Sequence, residues 1–595
     1  MRPATPERAR ADAPAREPAR GHRLRAVTLG VLTTGLLSGC ALLDVVRGPE
    51  IILYPAQRIL TMDPAHPEAT AVAVRGETIE ATGTLTALQQ QFEGQRVAVD
   101  RRFADKFLLP GFIEPHLHPY IAGILLPMRF ITPHDWDLPG RDVQGVRGPE
   151  AYRERLSAWE TQLDESEWLW TWGFHHLYHG HLTRADLDAI SATRPIIVWH
   201  RSFHEVIVNS AALSALEIDE DALGGAEQVD LANGHFYEGG MQHLIPALRP
   251  HLFSLRRYWG ALREARDILH AGGITTVSDG AFGTLDLDAE WLALKLSSWN
   301  RRDTPFRTVL LADGRTLGGL YGNDAARERI EGLHSRDTPR LQFRTDAVKL
   351  FADGAFFSQR MQLTPPGYLD GHEGEWLMTP EQLLEAARPF WRAGFQIHVH
   401  ANGDAGIDAT LDVLEQLQTE WPRDDHRFAL HHFGDSRPDQ VVRVAAAGVH
   451  VSANPFYVWA LADLYAEVGL GPQRASELVR AGSLVRAGVP LSLHSDFTMA
   501  PAQPLRLAWV AANRITAEGN VVGPEERIPV DAALRAITID AARLLRMEDR
   551  IGSITPGKSA DFTVLGSDPL SVSPATLADI PIWGTVFEGR LYPIP

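Results

Sequence analysis

Short apolar runs, each of the right length for one buried β-strand, recur along the middle of the chain. Between most of them apolar residues repeat with the 3.6-residue period of a helix, as in Pro380–Ala393 and Gly406–Glu420. The eight runs are Phe107–Phe112, Ile274–Ser278, Phe306–Leu311, Ala347–Phe351, Phe395–Val399, Phe428–Leu430, Val449–Ser452 and Val489–Leu493. Alternating strands and helices predict an α/β protein with parallel βαβ units. Eight units favour a (β/α)8 TIM barrel over residues 107–545, although an open parallel sheet would have the same periodicity.

The two ends of the chain have a different pattern. Residues 50–106 contain short β-rich pieces such as Ile51–Leu53 and Ala71–Arg75, separated by Pro and Gly. Residues 546–595 contain similar pieces around Ile551–Leu565 and Ile582–Arg590. We therefore predict one small β-sandwich domain built from both ends of the chain.

One long stretch, at about 120–260, does not follow the strand–helix repeat. It is rich in Trp and His, with Trp168-Leu-Trp-Thr-Trp172 followed by His175-His-Leu-Tyr-His179. We interpret it as an insertion after the first barrel strand that caps the site. An extra subdomain without a role in substrate binding is the alternative, and the pattern does not indicate the fold of this segment.

The N-terminus has the pattern of a secretory signal. Residues 1–25 carry seven Arg and three acidic residues, and the uncharged run Ala26–Leu37 is too short for a permanent transmembrane helix. Leu37-Ser-Gly-Cys40 then resembles a bacterial lipobox, in which signal cleavage leaves a lipid-modified N-terminal cysteine. Residues 1–40 thus predict an exported protein, anchored through Cys40 to the periplasmic or extracellular face of a membrane. A disordered tail on a cytosolic enzyme is the alternative.

Composition narrows the possible functions. The net charge of −18 argues against nucleic acid as a partner, because phosphate binding needs a basic surface. Cys40 is the single cysteine, which excludes an intramolecular disulfide and a thiolate-rich metal site. Only four of the 57 basic residues are lysines, so each lysine is worth examining. Composition does not indicate the oligomeric state.

Histidine and aspartate recur at the C-terminal ends of the predicted strands. His116-Leu-His118 follows the first strand, His398-Val-His400 the fifth, His431-His432 the sixth and His494-Ser-Asp496 the eighth. Barrel active sites lie on this face, and residues two apart in an extended segment point the same way. A single His-x-His would be weak evidence, but the recurrence in one register predicts a metal centre.

Lys349 lies in the fourth predicted strand, Ala347–Phe351. A cation that points into a barrel is costly unless it is neutralised, and a charged lysine beside metal ions is electrostatically unfavourable. A lysine carbamylated by carbon dioxide would instead be an anionic bridge between two metal ions. A conventional salt bridge with Asp353 or Asp346 is the alternative.

Taken together, the motifs resemble those of the amidohydrolase superfamily, in particular its amidohydrolase-3 branch. The matching segments run from about Ile51 to Tyr592 and are highly specific as a set. They are Leu109-Pro-Gly-Phe-Ile-Glu-Pro-His-Leu-His118, Gly273-Ile-Thr-Thr-Val277, Val348-Lys-Leu-Phe-Ala-Asp-Gly354, His400-Ala-Asn-Gly-Asp404, His432 with Pro438, His494-Ser-Asp496 and Gly552-Ser-Ile-Thr-Pro-Gly-Lys-Ser-Ala-Asp561.

The resemblance implies a set of metal ligands and a reaction. It makes His116 and His118 ligands of a more buried ion, His400 and His432 ligands of a second ion, and Lys349 the carbamylated bridge. Asp496 would bind metal and transfer the proton. With nitrogen and oxygen ligands and no thiolate, both divalent ions are expected to be Zn²⁺, and no organic cofactor is expected.

Several residues depart from the family pattern. Glu114 stands where the family usually has Asp, His494 replaces a small residue, and His431 stands where Glu is common. We therefore expect His431 and His494 to contact the substrate or to act as extra ligands or proton donors. His204 and Phe357 are further expected substrate contacts, His204 because its segment resembles a family position near the substrate.

These residues together predict a metal-dependent hydrolase that cleaves a non-peptide C–N bond of a small molecule, in an amide, N-acyl or cyclic amide group. Attack by metal-activated hydroxide is the implied chemistry. Two alternatives stay open. The same centre could act as a deaminase or as a lactone or carbamate hydrolase. A different class of protein, a non-catalytic ligand-binding lipoprotein, would also fit the N-terminus.

The lipobox prediction can be tested by removing the acylated thiol. We expect Cys40→Ser to shift the protein from the membrane fraction to the soluble fraction, because the only residue able to carry the lipid is lost. Fractionation of a bacterial host followed by immunoblotting measures the shift. Ser38→Ala, which keeps the thiol, should stay with the membrane, and an unchanged distribution of Cys40→Ser would contradict the prediction.

Overall fold

The computed structural model describes residues 50–252 and 255–594. Within these residues the chain forms five β-sheets of eight, six, five, four and two strands, with helices between the strands. The predicted α/β class is therefore confirmed. The predicted signal segment and Cys40 lie outside the described residues. In the part of the chain described, no helix combines the length and apolar character needed to cross a membrane.

The eight-stranded sheet is built from both ends of the described chain. Phe562–Leu565 pairs antiparallel with Phe107–Pro110, which joins the C-terminal strands to the N-terminal ones. Apolar side chains alternate along Ile51–Leu60, so that Leu53 packs in one core cluster and Tyr54 in another, on the opposite face. The strands are Ile51–Leu60, Glu68–Arg75, Thr78–Gly83, Val97–Val99, Phe107–Pro110, Phe562–Leu565, Ile582–Phe587 and Arg590–Pro593.

The four- and five-stranded sheets are entirely parallel and form the middle of the molecule. In chain order their strands are Phe112–Leu117, Ile274–Phe282, Arg307–Ala312 and Leu341–Phe343, then Ala347–Phe351, Gln396–Ala401, Ala429–His432, His450–Ala453 and Leu491–Leu493. Isolated parallel bridges connect the two sheets at two places: Leu117 in the edge strand Phe112–Leu117 with Phe497, and Asp313, directly after Arg307–Ala312, with Lys349. Seven of the eight predicted strands overlap these strands.

The first predicted strand, Phe107–Phe112, is wrong as a single element. It splits at Gly111: Phe107–Pro110 belongs to the eight-stranded sheet, and Phe112–Leu117 begins the four-stranded one. A Cβ atom at Gly111 would lie 2.0 Å from the Thr275 hydroxyl, so only glycine fits at this crossing. A continuous apolar run does not reveal that the chain changes sheet in its middle.

The helices between the parallel strands bury one apolar face each. Pro380–Arg392 begins at Thr379, whose side chain forms a capping box with Gln382, and it buries Leu383 and Phe390. The α-helices are Leu85–Gln91, Pro119–Leu125, Pro149–Glu160, His176–His179, Arg184–Ile190, Ser210–Ala215, Glu220–Leu223, Met241–Leu252, Leu255–Ala271, Leu287–Leu296, Gly314–Tyr321, Asn323–Glu331, Pro380–Arg392, Asp404–Glu420, Pro438–Ala446, Phe456–Leu464, Pro472–Ser476, Ala481–Arg486, Pro504–Asn513, Val530–Ala536 and Ile539–Leu544.

The segment at about 120–260 forms a mixed α/β subdomain, which we call the inserted subdomain. Its six-stranded sheet contains Arg129–Phe130, Leu169–Phe174, Ile196–His200, Glu205–Val208, Val229–Asp230 and His235–Tyr237. Leu169–Phe174 pairs parallel with Ile196–His200, and the later pairings are antiparallel. A separate two-stranded ribbon joins Trp136–Leu138 to Arg141–Val143. The aromatic residues of this segment are therefore largely core: Trp172, for example, is fully buried.

A buried ion pair ties the parallel sheets to the eight-stranded sheet. Arg307, which is almost fully buried, donates to Asp561 over 2.5 Å and to Thr276 over 3.0 Å. We expect Arg307→Ala to lower the free energy of unfolding by about 3–5 kcal/mol, because it leaves the Asp561 carboxylate buried without its partner. Denaturant titration followed by circular dichroism measures this loss.

Arg327→Ala is the matched control, because its partner Glu331 lies one helical turn away on the surface. Exposed pairs of this kind contribute only about 0–1 kcal/mol. Equal losses in the two variants would contradict the assigned importance of the buried pair.

Candidate metal centre

His116 and His118 meet Asp496 where the first and last parallel strands end. His116 lies in the fully buried strand Phe112–Leu117, and Asp496 follows Leu491–Leu493. Asp496 Oδ1 is 3.6 Å from His116 Nε2 and 3.2 Å from His118 Nε2. The His116 ring packs against the backbone of Gly280, where a Cβ atom would lie 2.9 Å from the ring. Both imidazoles of the His-x-His pair therefore face one carboxylate.

His400 and His432 lie beside this group. They stand near the ends of the neighbouring strands Gln396–Ala401 and Ala429–His432. Their ring centroids are 4.3 Å apart, and His432 Nδ1 is 3.9 Å from Asp496 Oδ2. The backbone of His432 and that of Asp496 are both left-handed, with φ of 78° and 55°. Such conformations cost free energy in residues other than glycine, and they concentrate at functional sites.

Lys349 is fully buried, and its Nζ atom has no hydrogen-bond partner within the described chain. The salt bridge considered above is not formed: Asp353 accepts backbone hydrogen bonds from Asn402 and Gly403, and Asp346 pairs with Arg344. Burial lowers the pKa of Lys349 to about 7, although Asp496 and Asp313 oppose the shift. A neutral amine at this position can act as a nucleophile, whereas a protonated ammonium cannot.

The donor atoms fit a divalent transition metal. One ligand atom each from His116, His118 and Asp496 lie within 4.8 Å of one another, and so do those of His116, His432 and His494. His432 Nε2 is buried without a hydrogen-bond partner in the described residues, as is Lys349 Nζ. Buried polar atoms are normally paired, so these orphaned atoms match the role of metal ligands. Nitrogen and oxygen donors without sulfur suit zinc and similar ions.

The charges of the centre are strongly coupled. Burial opposes protonation of His118, but hydrogen bonds to Asp279 and Asp496 outweigh it and raise the pKa of His118 to about 9. Burial would raise the pKa of Asp496, yet its contact with His118 lowers that pKa below the usual value. Asp496 is therefore held as a carboxylate, able to accept a proton or to bind a cation.

Two carboxylates support the centre: sequence reasoning missed Asp279 and gave Glu114 no role. Asp279 Oδ1 lies 3.4 Å from His118 Nδ1, on the far side of that ring. It directly follows the predicted second strand, Ile274–Ser278, so the same strand-end criterion would have found it. Glu114 accepts hydrogen bonds from the Ser495 amide (3.0 Å) and hydroxyl (2.7 Å), which fixes the residue before Asp496. Burial raises the pKa of Glu114 to about 8, against these hydrogen bonds.

The additional histidines contact the rings of His116 and His432. His431 Nδ1 is 2.6 Å from His116 Nδ1, and its Nε2 is 2.8 Å from His398 Nδ1. His494 Nε2 is 3.3 Å from His432 Nδ1, and its Nδ1 is 3.0 Å from Ser452 Oγ. Neither His431 nor His494 lines the cavity beside the centre. Contacts of this kind can fix the orientation of a neighbouring ring.

A cavity of about 190 Å³ opens onto the centre. His204, an expected substrate contact, lines it, and its Nδ1 atom is 2.5 Å from Glu238 Oε2. Phe357 is not in the lining: it is buried against Arg201 and Tyr457, whose hydroxyl is 3.2 Å from His432 Nδ1. The apolar part of the wall consists of Ile121, Ile124, Trp199, Phe203, Met241, Ile245, Ala281, Leu285, Phe351 and Leu377.

The sequence is similar to known proteins over most of its length. The model of the amidohydrolase family matches residues 104–592. Protein LONG AFTER FAR-RED 3 of Arabidopsis thaliana is 26% identical over 86% of this chain and 86% of its own length. N-substituted formamide deformylase of Arthrobacter pascens is 25% identical over 90% of this chain and 96% of its own length.

The fold agrees with these matches. An uncharacterized metal-dependent hydrolase of Pyrococcus horikoshii OT3 superimposes with a TM-score of 0.67 over 88% of this chain and 99% of its own, at 21% identity. This likeness concerns the α/β fold alone. The family model, in contrast, covers most of the sequence, including every strand end described above. The chain therefore belongs to the amidohydrolase family, the metal-dependent hydrolases that act on carbon–nitrogen bonds other than peptide bonds.

Proposed function

We propose that this protein hydrolyses the amide, N-acyl or cyclic amide bond of a small apolar molecule with two divalent metal ions, both expected to be zinc. The observation that carries the proposal is the group of His116, His118, His400, His432 and Asp496, whose side chains contact one another at the ends of parallel strands, together with the buried Lys349, whose Nζ atom has no hydrogen-bond partner in the described chain. These polar side chains converge at one end of the parallel strands, beside a cavity with apolar walls.

We further propose that the two parallel sheets form one closed (β/α)8 barrel, with a β-sandwich domain built from residues 50–106 and 546–595. The bridges Asp313–Lys349 and Leu117–Phe497 support closure, because they join the first strand of the five-stranded sheet and the segment after its last strand to the four-stranded sheet. The antiparallel pairing of Phe562–Leu565 with Phe107–Pro110 supports a domain made from both ends. In a barrel, the strand ends that carry histidine would all face one axis.

In this proposal His116 and His118 hold one ion, and His400 and His432 hold the other. Carbamylated Lys349 would supply the bridging carboxylate, and Asp496 would be a further ligand. The lowered pKa of Lys349 supports the carbamate, because only the neutral amine adds to carbon dioxide. The carbamate is also supported by the absence of a hydrogen-bond partner for Nζ within the described chain. The oxygens of a carbamate are negatively charged, so they need cations beside them rather than acidic side chains.

The bound ions would supply a water of lowered pKa and polarise the substrate carbonyl. Asp496 is the group placed to accept the proton of the attacking water, because its pKa is held low and it lies beside both His116 and His118. After C–N cleavage it returns that proton to the departing nitrogen. Asp279 and His431 hold the rings of His118 and His116 in place during these steps.

The cavity supports a substrate with a compact apolar group. Trp199, Phe203 and His204 of the inserted subdomain lie in its wall, so the insertion contributes to substrate binding as well as to packing. Arg315 is the basic side chain of the lining outside the histidines, and it is available for a polar or anionic substituent. The relationship to a formamide deformylase also favours small N-substituted amides as the first substrates to test.

The protein is further proposed to be exported and anchored to a bacterial membrane through a lipid on Cys40. The support is the sequence of residues 1–40 alone, with its basic start, apolar run and lipobox-like end. The substrate would then be met on the periplasmic or extracellular side.

Replacement of Lys349 tests the carbamate. We expect Lys349→Ala and Lys349→Arg to bind fewer metal ions and to lose activity by about 100-fold or more, because neither side chain can form the bridge. Metal per chain is measured by inductively coupled plasma mass spectrometry, and activity on a panel of N-acyl amines. Short carboxylic acids should partly restore Lys349→Ala but not Lys349→Arg, whose side chain fills the space.

Lys295→Arg is the control for this experiment. Lys295 is exposed, on the surface helix Leu287–Leu296, and its change should alter neither metal content nor activity. Full activity in Lys349→Arg would overturn the carbamate.

Asp496→Asn tests the proton transfer. We expect kcat to fall by about 10²–10⁴-fold for alkyl amides, because the base and acid are lost together. The loss should be smaller for an ester or anilide whose leaving group departs without a proton, so the ratio of the two rates is the measurement. Asp412→Asn, an exposed change on the helix Asp404–Glu420, should leave the ratio unaltered. An equal loss for both substrates would assign Asp496 to metal binding only.

A further inference from the structure

We propose that the inserted subdomain contains a separate metal site formed by His175, His176 and His200. One ligand nitrogen of each ring lies within 4.8 Å of the others. The ring centroids form a nearly equilateral triangle, with sides of 5.3, 5.2 and 5.6 Å. None of the three residues lines the catalytic cavity, so the site goes beyond the proposed function.

The fold brings these histidines together in the same way as those of the catalytic centre. Leu169–Phe174 and Ile196–His200 are neighbouring parallel strands, in which Phe174 pairs with His200. His175 follows the first of these strands directly, and His176 begins the short helix His176–His179. The carboxyl ends of parallel strands meet at one edge of a sheet, so side chains that follow them converge.

The outward nitrogens of two rings have hydrogen-bond partners that fix their orientation. His176 Nε2 is 3.1 Å from its acceptor Gln359 Oε1, whereas His200 Nδ1 accepts from the Ser202 amide at 3.1 Å and is 2.9 Å from Ser202 Oγ. Their inward nitrogens, Nδ1 of His176 and Nε2 of His200, are 3.4 Å apart. Metal-binding histidines usually donate the opposite N–H to an oxygen, as His176 does to Gln359. His200 would do so to Ser202 Oγ once its proton moved to Nδ1, and it would then give up the contact with the Ser202 amide.

The third ring provides an independent observation. His175 is fully buried, and its Nε2 atom has no hydrogen-bond partner in the described chain. Without an ion, His200 Nε2–H can donate to His176 Nδ1. This hydrogen bond gives both of those nitrogens a partner but leaves His175 Nε2 without one. Coordination through His175 Nε2 would place the proton on Nδ1 and give up the long 3.3 Å contact with the Leu177 amide. A buried, orphaned imidazole nitrogen is a costly feature that a cation would remove.

Solvent reaches the site from one side. His176 lines a surface cavity of about 490 Å³ whose wall also includes Glu205, His181 and His235. A cation can enter here, and a water can complete a tetrahedral set of three imidazoles. Three neutral nitrogen ligands select zinc, nickel, cobalt or copper over magnesium or calcium.

The ion would connect the inserted subdomain to the rest of the molecule. Gln359, the acceptor for His176, lies in the segment after the strand Ala347–Phe351 that carries Lys349. The His175 ring is also 5.9 Å from that of Phe357, which packs on Tyr457 beside His432. Metal at this position would therefore stiffen the cap over the catalytic cavity without touching the reacting atoms.

The test is a crystal of the zinc-loaded full chain, with diffraction data collected above and below the zinc absorption edge. We expect an anomalous-difference peak between the three rings, separate from those near Asp496. Zinc content per chain should fall by one ion in His176→Gln and in His200→Gln. Added zinc should also raise the Tm of the wild type more than that of either variant.

His181→Gln is the matched control, because His181 lines the same cavity but does not belong to the triangle. It should keep the wild-type zinc content. Lys349→Ala should lose zinc near Asp496 and keep the peak between the three rings, which separates this site from the catalytic one. Zinc bound near Asp496 with no peak between the rings would overturn the proposal, even if the histidine variants failed to fold.

Discussion

The structure depends on one constraint: ionisable groups that water cannot reach must find other partners. His116, His432, Lys349 and Asp496 are all buried where parallel strands end. Desolvation alone disfavours every charge among them, as the lowered pKa of Lys349 illustrates. In the proposed function metal ions would resolve this conflict, because they would replace the lost hydration of imidazole and carboxylate atoms. Cation binding would then stabilise the part of the fold in which these groups are buried.

The surrounding structure holds these groups in a fixed arrangement. Glu114 clamps Ser495, and Asp279 and His431 hold the rings of the first strand from behind. These contacts join the first, second, seventh and last parallel strands across the centre. His431, which departs from the usual family residue, therefore contacts the His116 ring and does not line the cavity.

Much of this arrangement was predictable from the sequence because it rests on local pattern. Strand-length apolar runs give the order of the parallel strands, and polar residues that directly follow buried strands share one edge. This pattern marked His116, His118, His400, His432 and Asp496 together with His398, His431 and His494, and the resemblance to the family chose the predicted ligands among them. Lys349 was noticed because lysine is rare in the chain and because it lies in a buried strand. Asp279 was within reach of the same criterion.

Only the tertiary structure decided what depends on contacts between distant segments. The chain changes sheet at Gly111. The Thr275 side chain leaves no room for a larger residue at that position, and no local pattern in the sequence shows this contact. His431, His494 and Phe357 do not line the cavity, and the triangle of His175, His176 and His200 requires two strands 22 residues apart to be neighbours. Periodicity determines which residues are buried; the packing of one element on another determines what each buried side chain meets.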